Sequence, residues 1–387
     1  MNDLTQNTLS HLDKLIAFPT VSSESNMDLI NYAANFFDDI GADVHLSHNP
    51  DGTKANLFAT IGPRENGGVV LSGHTDVVPV EGQDWTSDPF SAVHKDDRVI
   101  GRGACDMKGF IACALASAPA FQALELTRPL HIALTYDEEV GCLGAPVMLN
   151  ALADLGIRPN VAIIGEPTGM QIIEGHKGCY EYTTQIRGLE GHGSLPDAGV
   201  NAVESAVRII HELLETGETL RQRAPADSRF TPPWTTVSVG KIEGGIARNI
   251  IAKDCTFEWE IRPVQRSDSD LVWDRLHTLI DGSLLPEMQK RYEGAYIRTE
   301  TAGEVDGLEP MSDSEATALV RELTGGNTTD VVSFGTEAGL FQNAGISTVV
   351  CGPGYIDQAH RPDEFVDVEQ LNACLRMMER LKGKLSS

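Results

Sequence analysis

Apolar positions in the first part of the chain recur at two alternating periods. Over residues 3–18, Leu9, Leu12, Leu15 and Ile16 fall at helical spacing, and a second helical pattern runs over about 27–40 and stops at Gly41. Short apolar runs predict strands at 56–61, 69–72, 130–136 and 161–164, with helices between them at about 107–124 and 144–155. Strands alternating with helices predict an α/β domain whose sheet is mostly parallel and covered on both faces.

The rhythm changes after Lys177 and Gly178. A strand at 180–187 leads through a loop to a helix with Val203, Ala206, Val207, Ile210, Leu213 and Leu214 on one stripe. Two strands (236–242 and 255–261), a helix (about 270–285) and a strand near 296–301 complete a β-α-β-β-α-β order, the ferredoxin-like split unit. The polar stretch 217–234 reads as a mobile surface loop. From about Ala302 the α/β alternation resumes, with a strand at 346–351 and a last helix over about 367–381. The expected organisation is an α/β domain built from 1–177 and 303–387, interrupted by an inserted α+β domain over 178–302. Edge strands in the insert invite pairing with a second copy, so a two-fold dimer is expected through it. Hinges near Gly178 and Ala302 would let it close as a lid.

Charge and cysteine content narrow the chemistry. The 387 residues carry 56 acidic and 30 basic side chains, a formal charge of −26. That balance argues against nucleic acid or an anionic membrane as partner, since both need clustered Lys and Arg. The longest apolar stretches, such as 111–120, are too short to span a bilayer, and the opening residues lack the basic and apolar blocks of a secretory signal. Seven scattered cysteines without a C-x-x-C pair exclude a disulfide framework and a thiolate zinc site. Buried free thiols in a reducing cytosol are expected.

The polar residues that follow the strands carry the chemistry. VVLSG ends at His74-Thr-Asp76, HIALTY at Asp137-Glu138-Glu139 and VAIIG at Glu166, while STVVC leads through Gly352-Pro-Gly354 to His360. Asp106 lies in a glycine-rich segment just before a helix. Open parallel sheets place their sites at such strand ends. Singly, an H-x-D pair or adjacent glutamates belong to ordinary surface. Together, two His, two Glu and one Asp match the nitrogen and oxygen ligands of a zinc pair with a bridging carboxylate. Ser194 and Ser333 lack a nucleophile elbow, Gly101-x-Gly103 is too short for a dinucleotide fingerprint, and Cys105 reads as packing.

The runs SGHTDVVP, GRGACDMKGF, DEEVG, IGEPT and GPG followed by AHRPDE resemble the dinuclear zinc aminoacylase/carboxypeptidase family of metallopeptidases, the M20 type. The likeness covers nearly the whole chain. It implies two zinc ions per subunit, with cobalt a possible substitute, and a bridge at Asp106. His74 and Glu166 would complete one site, Glu139 and His360 the other. Asp76 would accept the ring N–H of His74, and Glu138 would be the general base. The resemblance also implies a homodimer in which His192 contacts the developing oxyanion of the partner's site. Asn249 and Arg262 would hold the substrate carboxylate, a strand-end salt bridge being the alternative for Arg262.

Residues 54–63, 84–90, 191–204 and 335–342 are most similar to the acetylornithine deacetylase branch of that family. This implies that a small N-acyl amino acid, N2-acetyl-L-ornithine, is hydrolysed to ornithine and acetate. Succinyl-diaminopimelate desuccinylase, or another N-acyl-amino-acid amidohydrolase or dipeptidase, is the alternative within the class. A non-catalytic metal-binding relative is the alternative outside it, and the presence of Glu138 with every ligand speaks against that.

Overall fold

A computed structural model describes residues 3–386, so positions 1–2 and 387 of the expected α/β domain lie outside the described residues. Backbone contacts divide the chain into two bodies. One comprises Met1–Gly175, Pro310–Val331 and Thr336–Ser387; the other comprises His176–Glu309 with Val332–Gly335.

The first body is built on an eight-stranded sheet. At its centre Leu130–Thr135, Val69–His74, Val161–Pro167 and Ser347–Gly352 run parallel. A hairpin, Asp43–His48 with Ala55–Ile61, joins one side antiparallel, and Ile172–His176 joins the other antiparallel. Every residue of the first three central strands is buried, which explains why they read as unbroken apolar runs and not as alternation. Helix Lys108–Gln122 is buried around most of its circumference. It crosses the sheet so closely that a Cβ on Gly165 would lie 2.0 Å from the Phe110 ring. The parallel register decides where the polar residues go. His74 pairs with Thr135, and the pairing with the third strand runs as far as Ser72 with Ile164, so that His74 and Glu166 both lie just past the end of that ladder. Three short strands, Val93–Lys95, Arg98–Ile100 and Phe365–Asp367, form a separate sheet too small to show in the apolar pattern.

The second body has a four-stranded antiparallel sheet in the order Thr236–Gly244, Asp254–Arg262, Cys179–Arg187, Tyr296–Val305. By chain order this is 2-3-1-4, the ferredoxin-like arrangement. Its strands alternate buried and accessible residues, and Tyr182, Trp259 and Trp273 pack with ring centroids 4.6–5.7 Å apart. Helix Ala202–Gln222 is rotated relative to the expected stripe. Ala202, Ala206, Ile209, Leu213 and Leu220 face the core, whereas Val207 and Leu214 are 56% and 55% exposed. The same helix absorbs the start of the expected loop at 217–234, and Phe230 within that stretch is buried. The last strand continues past the expected joint at 302, because its backbone stays paired until Val305 meets Cys179. Among the described residues all seven cysteines are free, and no helix is long and apolar enough to cross a membrane.

Candidate metal centre

His74 is the last residue of its strand and is buried. Its Nδ1 lies 2.9 Å from the main-chain carbonyl of Asp76. A carbonyl can only accept, so Nδ1 carries the proton and Nε2 is aimed the other way. There it meets Asp106 Oδ1 at 3.0 Å and Glu166 Oε1 at 3.6 Å. Asp76 is thus the expected acceptor of the ring N–H, through its carbonyl and not its carboxylate, whose Oδ1 stands 3.7 Å from Nδ1. The carboxylate instead accepts the backbone N–H of Glu138 (3.0 Å) on Oδ1, and on Oδ2 that of Glu139 (3.2 Å) and the Ser22 hydroxyl (2.7 Å). One residue thus does two jobs: its carbonyl orients the imidazole, and its carboxylate holds the turn that carries both glutamates.

Asp106 sits between two imidazoles. Its Oδ2 lies 3.3 Å from His360 Nε2, which in turn lies 3.1 Å from a carboxylate oxygen of Glu139. A carboxylate with one oxygen toward each ring is the arrangement a bridging ligand requires. Glu138 groups with His74 and Glu166, their donor atoms all within 4.8 Å of one another; His74, Asp106 and Glu139 form a second such group. Glu138 also receives the Cys142 thiol on Oε1 at 3.5 Å.

Electrostatics decides what the cluster needs. Burial foremost, and then the neighbouring carboxylates, push Glu138 and Glu166 well above the usual carboxylate range, with His74 opposing. Asp106 goes the other way: burial works against it, yet hydrogen bonds from His360 and His74 hold it below the usual range. Hydrogen bonds to Asp106 and Glu139 push His360 up to about 10. Glu166 Oε1 is buried and accepts no hydrogen bond, a cost that the ion pair with His74 at 3.6 Å offsets only in part. Divalent cations would compensate it and draw the carboxylates back to their charged forms. The donor set fits such ions: His74, Glu166 and Asp106 can hold one, Asp106, Glu139 and His360 a second. Nitrogen and carboxylate donors without sulfur suit zinc, cobalt or manganese.

The apolar pattern missed several residues around this cluster. The Glu364 carboxylate accepts the backbone N–H groups of Cys105 (2.9 Å), Asp106 (3.0 Å) and Gly103 (3.1 Å) and the Arg102 guanidinium (2.8 Å). Its place in the AHRPDE run was the one available signal. Glu337, fully buried, accepts the hydroxyls of Ser72 (2.5 Å) and Thr135 (2.8 Å) beneath the strand ends. Nothing in the sequence marked that role or the one played by Ser22.

The remaining expected residues belong to the second body. His192 and Asn249 lie side by side, since the loops carrying them pair through Gly193 N–H to the Asn249 carbonyl (2.8 Å) and a bridge between His192 and Ile250. The His192 ring takes Ser194 Oγ at 2.8 Å. Arg262 is at the other end of the sheet. Asp254, beside those loops, pairs with Arg187, whereas Arg262 pairs with Thr236, and eight residue steps of strand separate the two ends by about 26 Å. Arg262 donates from Nε (3.1 Å) and Nη2 (2.8 Å) to the same oxygen of Glu260. The strand-end salt bridge is therefore present.

The sequence profile of peptidase family M20/M25/M40 matches residues 70–382. Acetylornithine deacetylase from Yersinia pseudotuberculosis is 38% identical over 365 residues, covering 92% of this chain and 91% of that protein. The enzyme of the same name from Photorhabdus laumondii is 36% identical, with 95% and 94% covered. Among solved structures, aminopeptidase PepT from Bacillus cereus superposes with a TM-score of 0.75 at 18% identity, covering 99% of both chains. The M20 metallo-carboxypeptidase Sso-CP2 from Sulfolobus solfataricus superposes at 0.73 and 18% identity, covering 100% of this chain and 99% of that one. The YXEP protein of Bacillus subtilis, described as a dinuclear metal-binding peptidase, reaches 0.66 at 17%, with 99% and 98% covered. The profile match, the near full-length relatives, the shared fold and a carboxylate set between two histidines at the strand ends agree, and the chain belongs to peptidase family M20/M25/M40.

Proposed function

We propose that the protein is a dimetal amidohydrolase that converts N2-acetyl-L-ornithine to ornithine and acetate, the product serving arginine synthesis. The observation that carries the reaction class is Asp106 lying 3.0 Å from His74 and 3.3 Å from His360, with two more carboxylates on the rings. The named relatives, 36–38% identical over nine-tenths of the chain, support the substrate. Two zinc ions, with cobalt able to replace them, would bind at Asp106, His74, Glu166, Glu139 and His360. When bound they supply Lewis acidity and lower the pKa of a nearby water. Glu138 takes the proton of the attacking water and returns it to the departing amine. Asp76 keeps that base in place through the backbone of residues 138 and 139. The free, mostly buried cysteines fit a cytoplasmic enzyme.

A substrate panel tests the assignment. kcat/KM is expected to be highest for N2-acetyl-L-ornithine among it, succinyl-diaminopimelate, acetylmethionine and a simple dipeptide, and to vanish on chelation. A panel led by the succinyl compound or the dipeptide would move the protein to that neighbouring activity. Full turnover after metal removal would refute the dimetal reading itself.

The proposed working form is a homodimer joined through the second body. Its supports are the exposed apolar ridge at Val207 and Leu214 and the accessible edge strand Thr236–Gly244. A further support is the separation of about 26 Å between the His192 end of the sheet and Arg262. No small N-acyl amino acid spans that distance, so His192 and Arg262 of one subunit do not hold the same substrate molecule, which supports His192 acting across a dimer. His192→Ala and Glu138→Gln homodimers should each be nearly inactive, and a mixed dimer should regain about one working site. No recovery, once subunit exchange is verified by mass spectrometry, would show that His192 does not act across the interface.

A further inference from the structure

The two halves of the metal cluster are supported in different ways. His74 and Glu166 stand on adjacent parallel strands, two residues past their last paired positions, so the sheet itself supports both. Asp106 and His360 stand on loops, and His360 has a left-handed backbone with φ of 60°. Loop-borne ligands need an outside brace to keep a fixed separation.

A closed circuit of hydrogen bonds links these two loops. Glu364 accepts the N–H groups of Cys105 and Asp106 on Oε1, and that of Gly103 together with Arg102 Nη1 on Oε2. Arg102 is 1% exposed. Its guanidinium also donates to the Arg361 carbonyl (3.3 Å), the Pro79 carbonyl (3.4 Å) and Gln83 Oε1 (2.5 Å), and it lies 5.0 Å from the centre of the Trp85 ring. Gln83 closes the loop by donating from Nε2 to the His360 carbonyl at 2.9 Å. Both backbones that present Asp106 and His360 are thereby tied to one buried ion pair.

We infer that Glu364 is a positioning residue that sets the distance between Asp106 and His360 and so builds the second metal site above all, with Arg102 and Gln83 as its extensions. The inference rests on the dimetal reading of the cluster. Four donors converge on this carboxylate, and a carboxamide has one accepting oxygen. Glu364→Gln therefore leaves part of the circuit facing an NH2 group, while His74 and Glu166 keep their strand supports.

The test is zinc titration of the metal-free full chain, following both binding steps by calorimetry and native mass spectrometry, with melting temperature measured alongside. Glu364→Gln should weaken the second step about 10–100-fold, the usual cost of losing a ligand's hydrogen-bonded support, and the first by a smaller factor, because Asp106 belongs to both sites while only the second also depends on His360. Gln83→Ala, at a partly exposed position that the core does not depend on, should weaken the same step by less, and carries the test alone if Glu364→Gln does not fold. Two outcomes overturn the inference while the dimetal reading stands: a wild-type protein that binds two zinc ions beside variants that bind them equally well, or variants in which the first step weakens as much as the second. A wild-type protein that takes up no zinc overturns both.

Discussion

Glu138→Gln is expected to lower kcat by about 10²–10⁴, the usual contribution of a positioned acid–base group, with both metals still bound. The substitution is nearly isosteric and keeps the backbone N–H that Asp76 holds at 3.0 Å. It removes the ability to take a proton from the attacking water. KM should change little, because the acyl amino acid is held by other groups. The result is informative because both glutamates of the pair lie within the metal-competent cluster, Glu138 beside His74 and Glu166, Glu139 beside Asp106 and His360. Metal content must therefore be measured with the rate. Loss of metal in Glu138→Gln, with retention in Glu139→Gln, would exchange the two roles.

The second large effect is expected at Asp106. Replacing it by Ala should empty or scramble both metal sites and abolish turnover, whereas His74→Ala should mainly weaken one site. The reason is geometric: the Asp106 oxygens lie 3.0 Å from one imidazole and 3.3 Å from the other, while His74 Nε2 is directed at Asp106 Oδ1 and Glu166 on one side of the cluster. Removing the shared carboxylate also leaves two donors of its loop, the N–H groups of residues 105 and 106, bound to Glu364 with nothing to present. Total metal per subunit distinguishes the variants. Loss of a single ion in both would argue against the bridge.

Local pattern by itself determined the central strands and the longer helices, the β-α-β-β-α-β insert and the identity of the clustered residues, while short elements such as Asp43–His48, Thr329–Val332 and Ala338–Asn343 escaped it. Burial on both faces forces an unbroken apolar run, a half-buried strand forces alternation, and a site at strand ends leaves His74, Glu166 and the glutamate pair directly after such runs. These signals are carried by near neighbours in the chain. The tertiary structure alone decided which groups each polar atom meets. The ring of His74 bonds the carbonyl of Asp76, while the carboxylate turns to the backbone N–H groups of residues 138 and 139, which the fold brings beside it. Helix Ala202–Gln222 placed Val207 and Leu214 outside, because the orientation of a helix on its sheet is set by packing against particular side chains such as Trp259 and Leu276 in that core. The separation of His192 from Arg262 follows from strand length and pairing, and the bond from Asp106 to Glu364 joins residues 258 positions apart. Contacts of that range depend on how every intervening element folds and packs, and no spacing along the chain encodes them.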